Sequence, residues 1–193
     1  MYIKNYLKNI ETIAKSIDQK KLQKLLDFLI VLKKKKGRLF FIGVGGSAAN
    51  CSHAVNDFRK LCNIESYAPT DNVSELTARI NDEGWDNSFV NWLKISKISS
   101  MDVIFIFSVG GGNLKRNISV NIVNAIKYAK IKKSIVLSIV GRDDGYAYKN
   151  SDCALLVPVI VKKLLTPVTE SFQAVIWHLL VSHPKLQSNN TKW

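Results

Sequence analysis

Apolar residues open the chain at helical spacing, at Ile3, Tyr6, Leu7, Ile10, Ile13, Ala14 and Ile17, and resume at Leu22, Leu25, Leu26, Leu29 and Ile30. Steps of three and four predict two amphipathic helices, with Ser16-Ile17-Asp18-Gln19 as the break between them. Two such helices placed before any strand need a partner for their apolar stripes, either the sheet or another subunit. From Arg38 the pattern changes. Short, continuously apolar runs rich in β-branched and aromatic residues occupy 39–43, 101–107, 134–140 and 153–157, with a further short one at 64–68. Strands buried on both faces of a parallel sheet read this way. Helical stretches fall between them, at 48–61, 86–98, 118–130 and 169–181. The alternation predicts an α/β protein, a three-layer αβα sandwich around a parallel sheet.

A chain of 193 residues suits one core rather than two. The reading is a single domain, with 1–36 as an N-terminal helical segment and 37–193 as the α/β core. The opening residues break their apolar positions with polar ones every two or three places, unlike a signal peptide. The longest apolar runs are interrupted by Gly, Ser or Lys well before the roughly 18 residues of a membrane span. A cytoplasmic protein without a membrane segment is expected. Cys51, Cys62 and Cys153 are odd in number and lack CxxC spacing, which fits reduced thiols. A net charge of +13 raises the question of nucleic acid. Its densest cluster, 33–36 with Arg38, ends the second predicted helix, where lysines complement the helix dipole. No aromatic residues interleave it as stacking platforms, so a nucleic-acid reading rests on charge alone.

In open parallel sheets ligands bind beyond the carboxyl ends of the strands. Two glycine-rich loops lie at such positions, Gly43-Val44-Gly45-Gly46-Ser47 and Ser108-Val109-Gly110-Gly111-Gly112-Asn113, each leading into a helical stretch. Uncovered backbone amides at a helix start form an anion cradle, and two on one edge suggest a phosphorylated ligand. The bland alternative is a pair of tight turns. Neither loop completes a dinucleotide fingerprint or a P-loop, which argues against nicotinamide or ATP.

The helix after the first loop carries His53 and Asp57 at i, i+4, so both reach one point. Far downstream, the run from Thr166 to Glu170 reads as a helix start, and that helix holds Glu170 and His178 eight residues apart. Eight residues are roughly 80° around and about 12 Å along the axis. Both bind one ion only if the helix begins irregularly or they serve different subunits. A His and a carboxylate from each of two segments is a workable zinc set, and equally a workable acid and base. His53 alone also fits a packed histidine, and Glu170 a helix-terminal charge. His178 sits among Ala174, Val175, Ile176, Trp177, Leu179 and Leu180, where an ionisable ring is costly unless paired.

With its Gly-x-Gly-Gly-Ser loop, His53, Asn81-Asp82, the Ser108 loop and the run from Thr169 to Pro184, the chain resembles the SIS (sugar isomerase) domain family, in particular its bacterial phosphoheptose isomerases. The resemblance spans nearly the whole chain. It implies a five-stranded parallel sheet preceded by two helices, a homotetramer with 1–36 as its oligomerisation segment and sites at subunit interfaces, and one zinc ion per subunit held by His53, Asp57, Glu170 and His178. It further implies a sugar phosphate held by Gly45, Gly46, Ser47, Asn81, Asp82, Ser108, Val109, Gly110, Asn113 and Glu170. The implied reaction is aldose–ketose isomerisation of sedoheptulose 7-phosphate to D-glycero-D-manno-heptose 7-phosphate, for lipopolysaccharide or capsule, with Asp57 and His178 expected as acid and base, His53 chiefly as a ligand and Glu170 as either a ligand or a substitute base. Better-known members have Asn where this chain has Val44, Glu where it has Asp57, Gln where it has Glu170, and Ser-Thr-Ser where it has Ser108-Val109-Gly110. The competing expectation is a non-catalytic SIS protein that binds a sugar phosphate or a protein partner and regulates. Such relatives usually lack the histidines kept here.

Overall fold

The computed structural model describes residues 1–191, so the last two positions of the expected 37–193 core lie outside the described residues. The two N-terminal helices are α1 (Tyr2–Ser16) and α2 (Gln19–Lys34). Asp18 ends the break between them by accepting the Lys21 amide at 3.0 Å, an N-cap that starts α2. The partner for α2 is the sheet. Its buried Leu25, Leu26, Leu29 and Leu32 join one core cluster with Phe41, Phe105, Phe107 and Leu137. Helix α1 buries only Ile13 and leaves Tyr2, Ile3 and Leu7 exposed. In the basic cluster, Lys33 is engaged structurally, donating to the Leu186 carbonyl and the Ser188 hydroxyl.

Five parallel strands follow: β1 (Leu39–Ile42), β2 (Ser66–Tyr67), β3 (Val103–Ser108), β4 (Ile135–Val140) and β5 (Cys153–Leu156). Their order is β2-β1-β3-β4-β5. Central β3 pairs Val103 with Leu39 on one side and with Ile135 on the other. Its six residues are all buried because alternate side chains enter opposite cores. Phe105 and Phe107 face α2, α3 (Gly46–Cys62) and α8 (Leu165–Val181), whereas Ile104 and Ile106 face α5 (Trp85–Ile95) and α6 (Val120–Ile131). The three layers are those the apolar runs imply.

Two helices escape the pattern. Helix α4 (Val73–Glu83) buries no residue, and α7 (Tyr146–Asn150) is a single short turn. Helix α8 begins at Leu165 rather than 169, after a 3-10 turn at Lys162–Leu164; Pro167 sits in its first turn, where no intrahelical partner is lost. The stretch Lys162–Val181 is long and apolar enough to cross a membrane by length and composition. Here it is a core helix, with Val168, Phe172, Ile176, Trp177 and Leu180 buried against α3 and the sheet.

Candidate active site

Strand order reverses between β1 and β3, so a crevice opens between their carboxyl ends, where both glycine loops lie. The first loop turns tightly: Gly45 has φ +64°, and a Cβ on Gly43 would come within 2.7 Å of the Ser47 backbone. That turn launches α3 from the end of β1 and aims it along α8. Polar contacts staple the two helices. Asn50 Nδ2 donates to the Glu170 carbonyl (2.9 Å) and to Gln173 Oε1 (2.8 Å), and Gln173 Nε2 donates to Ser47 Oγ (3.1 Å). Ser47, expected to touch substrate, is thus buried and serves as a brace between helices.

One turn further along, the staple becomes a cluster. Asp57 Oδ2 lies 3.5 Å from His53 Nε2 and 3.4 Å from His178 Nε2. One ligand atom from each of the three residues lies within 4.8 Å of the other two. Asp57 is buried, and its charge is compensated by two donors, Trp177 Nε1 on Oδ2 (3.1 Å) and Asn56 Nδ2 on Oδ1 (3.0 Å). The His178 Nδ1 lies 2.8 Å from the Ala174 carbonyl, an acceptor to which it can only donate, and this contact turns Nε2 toward the cluster. Two nitrogens and a carboxylate oxygen suit zinc, and bonds of about 2.0–2.2 Å in a tetrahedron set ligand atoms roughly 3.4 Å apart. The two distances from Asp57 Oδ2 to the imidazole nitrogens agree with that spacing.

Glu170, the expected fourth ligand, is placed elsewhere. Its carboxylate lies on Gly46, where a Cβ would come 2.5 Å from Oε2, and it accepts no hydrogen bond among the described residues. The cradle at Gly45 and Gly46, expected to take phosphate, is faced by the chain's own carboxylate, which repels a second anion.

The second loop remains open. Ser108 Oγ accepts the Gly111 amide at 3.0 Å, while the amides of Gly110 and Gly112 have no partner among the described residues. The Val109 carbonyl accepts the Gly141 amide. Asn113 turns inward on its own hairpin: it pairs with Ile118 through the backbone, and its Oδ1 accepts the Arg116 amide at 3.1 Å. Arg116, at the tip, lines a small cavity of about 90 Å³ together with Gly110, Gly112, Asn113, Arg142 and Asp144. Arg142 is paired with Asp144 at 2.6 Å. Of the five arginines, Arg116 alone has a guanidinium without a partner among the described residues. Asn81 and Asp82 are exposed on the last turn of α4, their side chains hydrogen-bond among the described residues only to each other, and neither is a member of the His53–Asp57–His178 cluster.

Residues 1–141 match the family model described as the SIS domain. The chain belongs to the SIS domain family. Among curated SIS relatives it is 31% identical over 189 residues to the phosphoheptose isomerase of Sulfurimonas denitrificans, covering 93% of this chain and 91% of the relative. It is also 31% identical over 163 residues to that of Aliarcobacter butzleri, covering 81% and 82%. Phosphoheptose isomerase GmhA from Neisseria gonorrhoeae shares the fold with a TM-score of 0.78 at 22% identity, over 93% of this chain and 92% of that one. The site residues missed in sequence are Trp177, Asn50, Gln173 and Arg116. Only Arg116 left a signal, as a cation just after a glycine-rich loop.

Proposed function

We propose that this SIS chain is an aldose–ketose isomerase that converts sedoheptulose 7-phosphate into D-glycero-D-manno-heptose 7-phosphate. The observation that carries the reading is the convergence of His53, Asp57 and His178, from two helices, at the switch-point edge. Similarity to curated phosphoheptose isomerases over nearly the full chain supports the substrate. His53, Asp57 and His178 would hold zinc, which when bound supplies polarisation of the sugar carbonyl.

The residues of the chain divide the remaining work. Asp57 already accepts two hydrogen bonds and faces two imidazoles, which fits a ligand better than the acid or base first assigned to it. His178 presents Nε2 to the same point and completes the ligand set. Glu170, with both carboxylate oxygens free of donors, is the group that takes the proton from one sugar carbon and returns it to the next. The phosphate goes to the second loop, where the Gly110 and Gly112 amides and the Arg116 guanidinium are unengaged.

Assembly follows the same reading. An apolar groove of about 380 Å³ between the N-terminal helices and α8, lined by Ile17, Leu22, Leu26, Phe172, Val175 and Leu179, supports a homotetramer built through 1–36. Asn81 and Asp82 would then serve a neighbouring subunit's sugar. A cytoplasmic location, with product entering lipopolysaccharide or capsule heptose, accords with three free thiols. The test is to incubate purified protein with sedoheptulose 7-phosphate, with and without zinc, and follow the product by NMR. Conversion that disappears in His178→Ala supports the assignment. No turnover in either condition, or full activity in that variant, overturns it.

A further inference from the structure

Trp177 was expected to take no part in the site, yet its indole touches every member of the cluster. The ring is 1% exposed. Its Nε1–H donates to Asp57 Oδ2 at 3.1 Å, the same oxygen that faces both imidazoles. Its face stacks on Phe107, near the end of β3, with centroids 6.0 Å apart and planes 16° apart. The His53 ring stands edge-on to it at 5.2 Å, and the His178 ring is tilted against it at 4.8 Å. One rigid side chain, clamped on the central strand, therefore fixes a carboxylate by a hydrogen bond and two imidazoles by contact.

The energetic argument runs from burial. Asp57 is 7% exposed, and a buried carboxylate that loses a donor rotates or recruits water to replace it. Rotation of its χ angles carries Oδ2 away from the point shared with His53 and His178. His178 is already held by its own Nδ1 bond to Ala174, whereas Asp57 has Asn56 on Oδ1 and, among the described residues, only the indole as donor to Oδ2, so the aim of that oxygen depends on Trp177.

We infer that Trp177 is a positioning residue, whose indole N–H holds Asp57 Oδ2 in the metal-binding orientation shared with His53 and His178. The inference rests on the zinc-set reading above but not on the identity of the sugar. Partners that orient a ligand in this way typically contribute a factor of 10 to 100 in metal affinity.

The experiment measures zinc affinity of the full chain, without sugar, by competition with a chromophoric chelator. Trp177→Phe keeps a ring on Phe107 and deletes the donor, and it is expected to weaken zinc binding by about 10- to 100-fold. Pairing it with Asp57→Asn closes a double-mutant cycle. In the Asp57→Asn background, Trp177→Phe is expected to change zinc affinity less than twofold. Thermal unfolding of each variant separates loss of packing from loss of aim. Unchanged zinc affinity in Trp177→Phe, an equal loss in both backgrounds, or a wild-type chain that binds no zinc overturns the inference. Intact coupling in a protein that fails to isomerise sedoheptulose 7-phosphate counts against the substrate reading alone.

Discussion

Replacing Gly46 by alanine separates the chemistry of the crevice from its stability. Gly46 is the first residue of α3, and its φ lies outside the left-handed region, so alanine fits the backbone. The three atoms nearest the added Cβ all belong to Glu170, with Oε2 at 2.5 Å and Oε1 and Cδ at 2.7 Å. These atoms end a flexible side chain, so the clash is relieved by swinging the carboxylate off the loop. Alanine in place of glycine within a helix contributes about 1 kcal/mol, partly by restricting the unfolded chain. At this chain length that is a rise of roughly 2–4 °C in Tm. Displacing a positioned proton acceptor costs about 10²- to 10⁴-fold in rate. Gly46→Ala is therefore expected to be as stable as the parent or more so, while kcat falls to the level of Glu170→Gln. Gly45→Ala is the control, because its Cβ meets nothing within 4 Å but its φ of +64° costs roughly 1–2 kcal/mol. Calorimetry and initial rates on the three variants decide the matter. Wild-type kcat in Gly46→Ala, or loss of stability and activity together, refutes the placement of Glu170 as the working carboxylate.

Gly145→Ala drives a Cβ to 2.1 Å from the Gly110 carbonyl, a backbone atom that cannot swing aside; overpacking of about 1–3 kcal/mol and a raised KM for sugar phosphate are expected, read by urea unfolding and kinetics. Burial pushes the Asp102 carboxyl up, but hydrogen bonds from the Arg38 side chain and from the Arg38 and Ser99 amides outweigh it and hold its pKa below the ordinary range. Its folded pKa is thus depressed, so its contribution is complete above the unfolded value of about 4 and is lost as pH falls through the folded one. Asp102→Asn should lower stability at pH 7 and flatten the acid limb of stability against pH; an unchanged limb would count against the pairing. Burial likewise raises the thiols, Cys62 to about 11, so native protein at pH 8 should resist a thiol reagent that titrates all three cysteines once urea is added. Rapid labelling of the native chain would show the core to be looser than described.

The sheet was legible because burial on both faces leaves an unbroken apolar run, and every predicted run contains a strand. Helix α4 was not, since a helix with no buried residue has no periodic stripe to read. The site divides in the same way. His53 and Asp57 are visible as a local pair, because i, i+4 spacing is geometry within one helix. Their junction with His178 is not, because the bonds that make it, from Trp177 to Asp57 and from Asn50 to Gln173, join positions more than a hundred residues apart. Glu170 shows a milder failure. Its distance from His178 along the axis follows from sequence, but the partner it finds instead, the bare Cα of Gly46, depends on how α8 is laid across α3.

That crossing has a consequence for the order of events in synthesis. Helix α3 follows the first strand, and α8 follows the last. A ribosome has therefore delivered His53 and Asp57 long before the helix carrying His178, Glu170 and Trp177 emerges. Until then the carboxylate of Asp57 and the imidazole of His53 stand without the ring and the indole that α8 brings to them. The cluster therefore closes only after the last strand has been made, and a chain stalled before its final helix carries half of it.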